Sequence, residues 1–349
     1  MKRMEVAIIG GGNFGTALAN IAAKNGFGTY LWMRDQEQVA DCLAHRENRR
    51  YLPGHRLEPQ VMPTADLELA VASSSVIVMS VPSASFRDVS RQVAAHCEAD
   101  DIVISATKGI ERIAGGGGFR LMSQILAELL PSRRIGVLSG PNLAEEIADG
   151  QYTGTVVASA DPSVCDTVRE VLKSSTFRVY VNPDVYGVEL AGALKNIYAI
   201  ICGIAGGLQV GQNTMGMLIT RSLAEMSRFA VAQGANPFTF LGLAGVGDLL
   251  VTCTSPLSRN YQLGCRLAQG LSLEQALQDL GKLAEGVNTL GVVCERARDL
   301  DVYMPLALGL QRLFDGADMG EVVTELMTGG QPVDVAFATP DITAGAGAT

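Results

Sequence analysis

A single lysine, Lys195, interrupts an apolar run of residues that has the character of a buried helix. On such a helix Ala191, Gly192 and Ala199 lie beside Lys195 and leave space next to its ammonium group for another molecule. Burial lowers the pKa of a lysine because it penalises the charged form, so the residue can act as an acid or base near neutral pH. A structural lysine neutralised by a carboxylate would have the same surroundings, and the spacing alone leaves both interpretations open.

Polar residues at two places follow Lys195 along the chain. Asp248 lies among apolar residues just after a glycine, where it could orient or neutralise Lys195. Ser258, Arg259 and Asn260 combine a hydroxyl, a planar guanidinium and an amide, a set that suits a phosphate oxyanion. Asp248 and Ser258 could instead serve only as helix caps. The functional interpretation gains support because one small anion would use all of these groups.

A glycine-rich turn lies near the start of the chain, between a strand-like run at 6–9 and a helix-like run. Gly10 permits a tight turn, Gly12 lets the backbone approach a diphosphate, and Gly15 allows the helix to pack closely on the strand. The start of a helix also offers unpaired N–H groups to an anion. The turn therefore predicts a dinucleotide-binding site, the alternative being a tight turn without a ligand.

The next predicted strand, Thr29 to Met33, ends where such folds distinguish NAD from NADP. An acidic residue there accepts the ribose 2′-hydroxyl of NAD, whereas an arginine holds the 2′-phosphate of NADP. Met33 occupies the position expected for the acid, and Arg34 follows it. We therefore predict that NADP is favoured, although Asp35 could still serve a ribose and Arg34 could be a solvated surface charge.

Three further loops follow predicted strands at the sheet edge where ligands bind. They begin at Val81, Ala106 and Ser139, and the second contains Lys108. Lys108 could place a cation near the nicotinamide or a substrate phosphate, or it could be a solvated loop lysine.

The elements that position these residues fall into two groups. In the first half, β-branched runs alternate with helix-like stretches, the pattern of a mainly parallel sheet covered on both faces. The predicted strands are Val6 to Ile9, Thr29 to Met33, Val76 to Val81, Ile102 to Ser105, Ile135 to Leu138, Thr155 to Ser159 and Phe177 to Tyr180. The sequence thus predicts an α/β Rossmann domain with a doubly wound sheet at 1–183, a mostly α-helical domain at 184–330 and a flexible tail at 331–349.

Composition limits the classes of partner. Of the 349 residues, 48% are hydrophobic and 18% are charged, which is enough apolar material for two folded domains. The net charge of −9 and the absence of a basic run argue against nucleic acid. Seven scattered cysteines and three histidines without ligand spacing predict neither a disulfide nor a metal site.

Two features bear on location. The start of the chain has no long apolar stretch ahead of its first strand, so we expect no signal peptide and a cytoplasmic protein. The run from Val188 to Leu208 is apolar enough to resemble a membrane span, but Glu189, Lys195 and Asn196 interrupt it. Charge is costly in lipid, so we expect a buried helix and no membrane span.

Taken in order, these motifs resemble NAD(P)-dependent glycerol-3-phosphate dehydrogenase of the prokaryotic type, from about Val6 to Gly330. The matching segments are 10–15, Tyr51-Leu52-Pro53-Gly54, Val81-Pro82-Ser83, Ala106-Thr107-Lys108-Gly109, Ser139-Gly140-Pro141, Leu194-Lys195-Asn196, Gly247-Asp248-Leu249, Ser258-Arg259-Asn260 and Glu285-Gly286. The chain departs from the family pattern at Asn142, where Ser or Thr is usual, and at Met215, where a basic residue is common.

The resemblance implies roles for individual residues. Lys195 would be the proton donor and acceptor, with Asp248 in support. The substrate would be surrounded by Lys108, Gly140, Asn142, Asp248, Ser258, Arg259 and Asn260. The NAD(P) contacts would come from Asn13, Phe14, Arg34, Lys108, Ala144, Arg259, Leu283 and Glu285, in addition to the glycine-rich turn.

The predicted reaction is the reversible reduction of dihydroxyacetone phosphate to sn-glycerol 3-phosphate, feeding glycerophospholipid synthesis. The nicotinamide would give the hydride and Lys195 the proton, and the family resemblance implies a homodimer. One alternative is another Rossmann reductase acting on a hydroxy acid or ketopantoate, against which the cluster at 258–260 favours a phosphate. Another is a non-catalytic NAD(P) sensor, against which Lys195 in its small-residue surroundings argues.

Overall fold

The computed structural model describes residues 4–113, 115, 118–281 and 284–329. The described strands fall into one eight-stranded sheet and one hairpin. They are β1 Val6–Ile9, β2 Thr29–Trp32, β3 Val61–Thr64, β4 Val76–Met79, β5 Ile102–Ser105, β6 Ile110–Arg112, β7 Phe119–Leu121, β8 Arg134–Ser139, β9 Thr153–Ser159 and β10 Phe177–Asn182.

The large sheet has the strand order β10-β9-β8-β5-β4-β1-β2-β3. All pairs are parallel except β8 with β9, so the last two strands run against the others. Alternate residues of β1 face opposite sides: Val6 and Ile8 join one apolar layer, and Ala7 and Ile9 join another. The sheet is therefore covered on both faces, and the predicted doubly wound, mainly parallel fold is confirmed.

The strand order reverses at β1, which pairs with β2 at one edge and with β4 at the other. In an open α/β sheet the crevice at such a reversal point is where ligands bind. The glycine-rich turn follows β1 directly and so lies in this crevice.

Fifteen α-helices are described. In the first half they are α1 Asn13–Lys24, α2 Gln36–His45, α3 Leu67–Ala72, α4 Ser83–Ala94, α5 Met122–Leu129, α6 Ala144–Ala148 and α7 Pro162–Leu172. In the second half they are α8 Val185–Gly207, α9 Gln212–Val231, α10 Asp248–Thr254, α11 Arg259–Ala268, α12 Leu273–Leu280, α13 Glu285–Asp299, α14 Pro305–Phe314 and α15 Met319–Thr328.

The long helix α8 forms the core of the second half and packs against α9, α10, α11 and α13. Among the described residues it alone is long and apolar enough to cross a membrane, but 94% of its most apolar window is buried within the protein. The prediction of a buried helix is therefore confirmed. No strand is described after β10, so the helical character of the second half is confirmed as well.

Three strands escaped the sequence analysis. β3 contains Pro63, which normally argues against a strand, but β3 is the edge of the sheet and can tolerate a missing N–H. β6 and β7 form a separate antiparallel hairpin of three-residue strands, too short to show a period. The division at 183/184 falls between β10 and α8 and stays a prediction, and the tail at 331–349 lies outside the described residues.

Candidate functional site

A cleft of about 520 Å³ runs along the crevice of the sheet and extends to the helical domain. Its walls come from the glycine-rich turn, the ends of β2, β4 and β5, and the helices α8, α10, α11 and α13. Both domains therefore contribute side chains to one site. No group of three potential metal ligands occurs among the described residues, and the prediction of no metal site stays a prediction.

The glycine-rich turn has the shape that a diphosphate requires. Gly10 has a φ of +127°, a conformation that favours glycine. A methyl group on Gly15 would overlap the carbonyl oxygen of Gly10, because α1 packs directly on the turn. No atom lies within 4 Å of a Cβ built on Gly12, and Gly12 has no side chain to cap α1, although Asn13 Oδ1 accepts from the Phe14 N–H at 2.8 Å. The turn thus leaves open space and unpaired N–H groups that fit the anionic part of a dinucleotide.

A buried asparagine that the sequence did not reveal holds this turn through hydrogen bonds. Asn48 is fully buried, and its Nδ2 donates to Gly11 O at 2.9 Å and to Thr16 Oγ1 at 2.8 Å. Gln38 Nε2 donates to the same Gly11 carbonyl at 2.7 Å. The loop that follows α2 is therefore anchored to the cofactor turn.

At the end of β2 the side chains of Met33, Arg34 and Asp35 take different positions. Met33 is buried beneath Gly11, whereas Arg34 is exposed along the cleft. Asp35 caps α2: its Oδ1 accepts from Glu37 N at 2.9 Å, and its Oδ2 lies 2.8 Å from Arg50 Nη1. Both oxygens of Asp35 already have partners within the protein.

The lysine cluster lies at the other end of the cleft. Lys195 Nζ donates to Asp248 Oδ1 and, at 2.7 Å, to Thr252 Oγ1. Lys108 Nζ donates to Asp248 Oδ2 at 2.7 Å and to Gly140 O at 2.8 Å. Asp248 is almost fully buried, and one carboxylate thus holds two ammonium groups.

Burial lowers the pKa of Lys108 to about 8, and the positive charge of Lys195 acts in the same direction. The ion pair with Asp248 opposes this shift. The Lys108 ammonium therefore loses its proton near the upper end of the physiological pH range.

The surroundings of Lys195 differ in part from the prediction. A methyl group on Gly192 would lie 2.7 Å from Ser139 Oγ and 3.5 Å from the aliphatic chain of Lys108. Part of the predicted space is therefore occupied by Ser139 at the end of β8 and by Lys108 in the loop after β5. Lys195 and Thr252 still line the cleft, and a molecule in the cleft can reach the ammonium group. Thr252 was missed, although it lies one helical turn after Asp248.

The loop after β8 offers a free acceptor. Asn142 Nδ2 donates to Thr155 Oγ1 at 3.0 Å, which leaves its Oδ1 buried and without a hydrogen-bond partner among the described residues. Ser139 Oγ is also without such a partner. Unpaired buried polar atoms are costly, and Asn142 lines the cleft, so a ligand hydroxyl can pair with its Oδ1.

A chain of amides connects the two domains. Asn196 Nδ2 donates to Lys108 O at 3.3 Å, and Asn196 Oδ1 accepts from Asn260 Nδ2 at 3.0 Å. Asn260 Oδ1 in turn accepts from Gly286 N at 3.0 Å. Asn260 is therefore largely committed to holding α8, α11 and α13 together.

Glu285, the first residue of α13, makes a second connection between the domains. Its Oε1 accepts from the backbone N–H of Ser83 at 3.0 Å, and its Oε2 accepts from the Ser83 hydroxyl. Since Ser83 begins α4, the negative charge of Glu285 lies at the positive end of that helix. Glu285 also lines the cleft.

The cluster at 258–260 divides its functions. Ser258 caps α11 by accepting from Tyr261 N at 3.3 Å, as the structural interpretation expected. Arg259 is exposed along the cleft and forms no ion pair or hydrogen bond with a described residue. Arg259 is therefore the member of this cluster that is available to an anion.

The structure brings together most of the predicted site residues. Those that line the cleft are Gly10, Gly12, Asn13, Phe14, Arg34, Lys108, Asn142, Ala144, Lys195, Ser258, Arg259, Asn260 and Glu285. Three others lie behind this lining and contact it: Gly15 packs on Gly10, Gly140 accepts from Lys108, and Asp248 holds Lys195. Leu283 lies outside the described residues. Their roles in binding and catalysis stay predictions.

A nucleotide-binding sheet joined to a helical domain that supplies a buried lysine defines a two-domain dehydrogenase of the Rossmann type. Residues 5–165 match the model of the NAD-dependent glycerol-3-phosphate dehydrogenase N-terminus, and residues 184–324 match that of its C-terminus. The chain belongs to the NAD-dependent glycerol-3-phosphate dehydrogenase family and is an oxidoreductase.

Individual relatives agree with this assignment. The chain is 55% identical over 333 residues to a glycerol-3-phosphate dehydrogenase (NAD(P)+) of Teredinibacter turnerae, covering 95% of this chain and 97% of that protein. It is 56% identical to the protein of the same description from Saccharophagus degradans, covering 96% and 92%. The crystal structure of glycerol-3-phosphate dehydrogenase from Coxiella burnetii superposes with a TM-score of 0.88 at 34% identity, covering 94% of this chain and all of that one.

Proposed function

We propose that this protein reversibly reduces dihydroxyacetone phosphate to sn-glycerol 3-phosphate with NAD(P)H, with NADP favoured. The observation that carries the proposal is the position of Lys195. Its ammonium group is held by Asp248 and Thr252 in the wall of the cleft that also contains the glycine-rich turn. A proton donor and a dinucleotide site in one cleft are what the reduction of a carbonyl requires.

The bound nicotinamide supplies the hydride in this chemistry. Lys195 donates the proton: Nζ gives it to the substrate carbonyl oxygen as negative charge develops there, and takes it back in the reverse reaction. Asp248 fixes the direction of Nζ and compensates its charge while it is buried. Thr252 Oγ1 accepts a hydrogen bond from the same Nζ and restricts it further.

Arg259 is proposed to bind the substrate phosphate. Its guanidinium has no partner among the described residues, and it is the first residue of α11, whose positive end attracts an anion. Lys108 adds a second cation beside Asp248. The free Oδ1 of Asn142 can accept a hydrogen bond from the substrate hydroxyl. Ser258 and Asn260 support Arg259 by capping and anchoring its helix.

The proposal extends to a cytoplasmic homodimer whose product enters glycerophospholipid synthesis, as the family resemblance implies. The burial of α8 within the protein supports a location away from the membrane. Light scattering of the purified protein would test the dimer: a single species of monomer mass would contradict it.

The decisive test of the reaction is oxidation of NADPH and NADH with dihydroxyacetone phosphate, measured as loss of the reduced-nicotinamide absorbance. Ketopantoate and short 2-oxo acids serve as competing substrates. We expect rapid oxidation with dihydroxyacetone phosphate alone. If NAD(P)H is oxidised with one of the competing compounds instead, that compound is the substrate and dihydroxyacetone phosphate is not. If none of them supports oxidation, only the assignment as a dinucleotide-binding protein remains.

A further inference from the structure

We propose that Arg50 is a second cation of the site that recognises the 2′-phosphate of NADP, and that Asp35 positions Arg50 instead of binding a ribose hydroxyl. The inference rests on the proposed function, in which NADP is favoured. It names the residues that would decide that preference.

Arg50 and Arg34 come from different loops. It belongs to the loop between α2 and β3, sixteen residues after Arg34, yet both arginines line the same cleft together with Tyr51. Both side chains are exposed to solvent, and Arg34 has no ion-pair partner among the described residues. Arg50 pairs with Asp35, the residue next to Arg34, so the two arginines lie at the same end of the cleft.

Arg50 is held in place from two sides. Its Nη1 lies 2.8 Å from Asp35 Oδ2, and its guanidinium carbon lies 5.3 Å from the centre of the Tyr51 ring. An arginine positioned in this way loses little side-chain freedom when an anion binds. Asp35 leaves several guanidinium N–H groups of Arg50 free, because the group has five and the ion pair occupies one side.

The backbone that carries Arg50 is anchored to the cofactor turn. Asn48 is fully buried beneath Gly11, and the Leu52 N–H donates to Asn48 O at 2.8 Å. Leu52 is itself fully buried. Arg50 and Tyr51 thus lie between two fixed residues, and the distance from the glycine-rich turn to Arg50 is set by the fold.

Asp35 is already engaged within the protein. One of its oxygens caps α2 and the other holds Arg50, so a ribose 2′-hydroxyl would share the carboxylate with both of these contacts. Its charge is outweighed by the two arginines, which leaves this end of the cleft positive. A 2′-phosphate matches that charge, and a hydroxyl does not use it.

The test is isothermal titration of the purified full chain with 2′,5′-ADP and with 5′-AMP, which differ only in the 2′-phosphate. No turnover is needed, so failure of the proposed reaction and failure of this inference are distinguishable. We expect the wild-type protein to prefer 2′,5′-ADP, and this preference to weaken as ionic strength rises. We expect Arg50→Ala to weaken 2′,5′-ADP binding about tenfold and 5′-AMP binding less than about threefold.

Arg49 provides a matched control. It is an exposed arginine adjacent to Arg50, but it pairs with Asp41 and does not line the cleft. Arg49→Ala should leave the affinity for 2′,5′-ADP within about twofold of wild type, since only general charge is lost. Equal losses in the Arg49 and Arg50 variants, or no loss in either, would overturn the role of Arg50.

Asp35→Asn tests the second half of the proposal. Asparagine caps a helix about as well as aspartate, so α2 should remain intact. We expect the affinity for NAD⁺ to stay within about threefold of wild type, because Asp35 makes no ribose contact. A loss of about tenfold or more would assign Asp35 to the ribose and overturn its role as the positioning residue for Arg50.

Discussion

Lys108 Nζ lies 2.7 Å from Asp248 Oδ2, so a loop of the Rossmann domain and the first residue of α10 form an ion pair between the two domains. The other oxygen of Asp248 accepts from Lys195. Two ammonium groups would repel each other in a partly buried site, and the shared carboxylate offsets that repulsion. The charge of Lys108 therefore depends on Asp248, and the affinity for an anionic substrate depends on both.

The first prediction concerns pH. Lys108 has a pKa of about 8, so its positive charge is present below that pH and lost above it. We expect the KM for dihydroxyacetone phosphate to rise as pH increases through about 8. In Asp248→Asn the same rise should occur at lower pH, because the group that raises the pKa of Lys108 is gone. The measurement is KM as a function of pH between about 7 and about 10.

Lys108→Arg is the control for this profile. Arginine keeps its charge over the whole range, so the rise in KM should disappear. A wild-type KM that stays flat across the range would contradict the coupling of the Lys108 charge to substrate affinity.

The second prediction concerns Lys195 as the proton donor. Lys195→Met keeps the length and apolar stem of the side chain but removes the proton. Loss of a positioned general acid costs about 10²–10⁴-fold in rate, so kcat should fall by that factor. Binding of NADP⁺, followed by fluorescence titration, should change far less. Lys173 is exposed away from the cleft, and Lys173→Met is the matched control. A kcat within about tenfold of wild type would refute the assignment.

The third prediction separates two glycines of the same turn. A methyl group on Gly12 meets no atom within 4 Å, whereas one on Gly15 overlaps Gly10 O. Gly12→Ala should therefore keep the thermal unfolding midpoint within a few degrees but lose affinity for NADP⁺, because the methyl group enters the space for the diphosphate. Gly15→Ala should lower the midpoint itself. Unfolding scans with and without NADP⁺ distinguish the two, and equal midpoints for both variants would contradict this division.

Local patterns predicted the parts of this protein that depend on local physics. The alternation of buried strands and helices, the glycine-rich turn after β1 and the buried helix α8 each follow from period and residue type over a short stretch. Asp248 and Thr252 are one helical turn apart, so Thr252 was within reach of the same reasoning. β3 was not predicted because Pro63 argues against a strand. Only an edge strand tolerates such a proline, and edge position depends on the whole sheet.

Contacts between distant segments were not accessible in this way. The space beside Gly192 is occupied by Ser139 at the end of β8 and by Lys108 in the loop after β5, both far away in the sequence. Asn48 reaches Gly11 across 37 residues, and nothing in the local sequence marks it as an anchor of the cofactor turn. For the same reason Asp35 could be considered for a ribose from sequence alone, whereas its partner Arg50 became evident only in three dimensions.

The fourth prediction concerns Arg259 and the substrate phosphate. A charged hydrogen bond contributes about 1.5–3 kcal/mol, so Arg259→Ala should raise the KM for dihydroxyacetone phosphate by about tenfold or more. Arg266 lies on the same helix but pairs with Asp279 and does not line the cleft. Arg266→Ala should therefore leave KM near its wild-type value. Loss of kcat with an unchanged KM in the Arg259 variant would point to chemistry or folding instead of phosphate binding.

The last prediction concerns Glu189, which connects α8 to the Rossmann domain. Its carboxylate accepts from the Ser123 N–H at 2.9 Å and from the Ser123 hydroxyl, near the start of α5. Burial raises the pKa of Glu189 from 4.5 to about 7 in spite of these hydrogen bonds. The folded protein therefore binds a proton at this site between about pH 4.5 and about pH 7, where the unfolded chain has released it.

That difference makes stability depend on pH. Because the folded pKa is the higher one, the contribution is present at low pH and is lost as pH rises towards 7. Glu189→Gln keeps the shape and one acceptor but cannot titrate. Relative to this variant, the wild-type free energy of unfolding should be about 2–3 kcal/mol larger at about pH 5 than at about pH 8. Glu225, whose pKa burial also raises to about 7, is present in both proteins and cancels. Denaturant unfolding of wild type and variant at the two pH values measures this effect. If the two proteins differ in stability by the same amount at both pH values, Glu189 keeps one protonation state throughout.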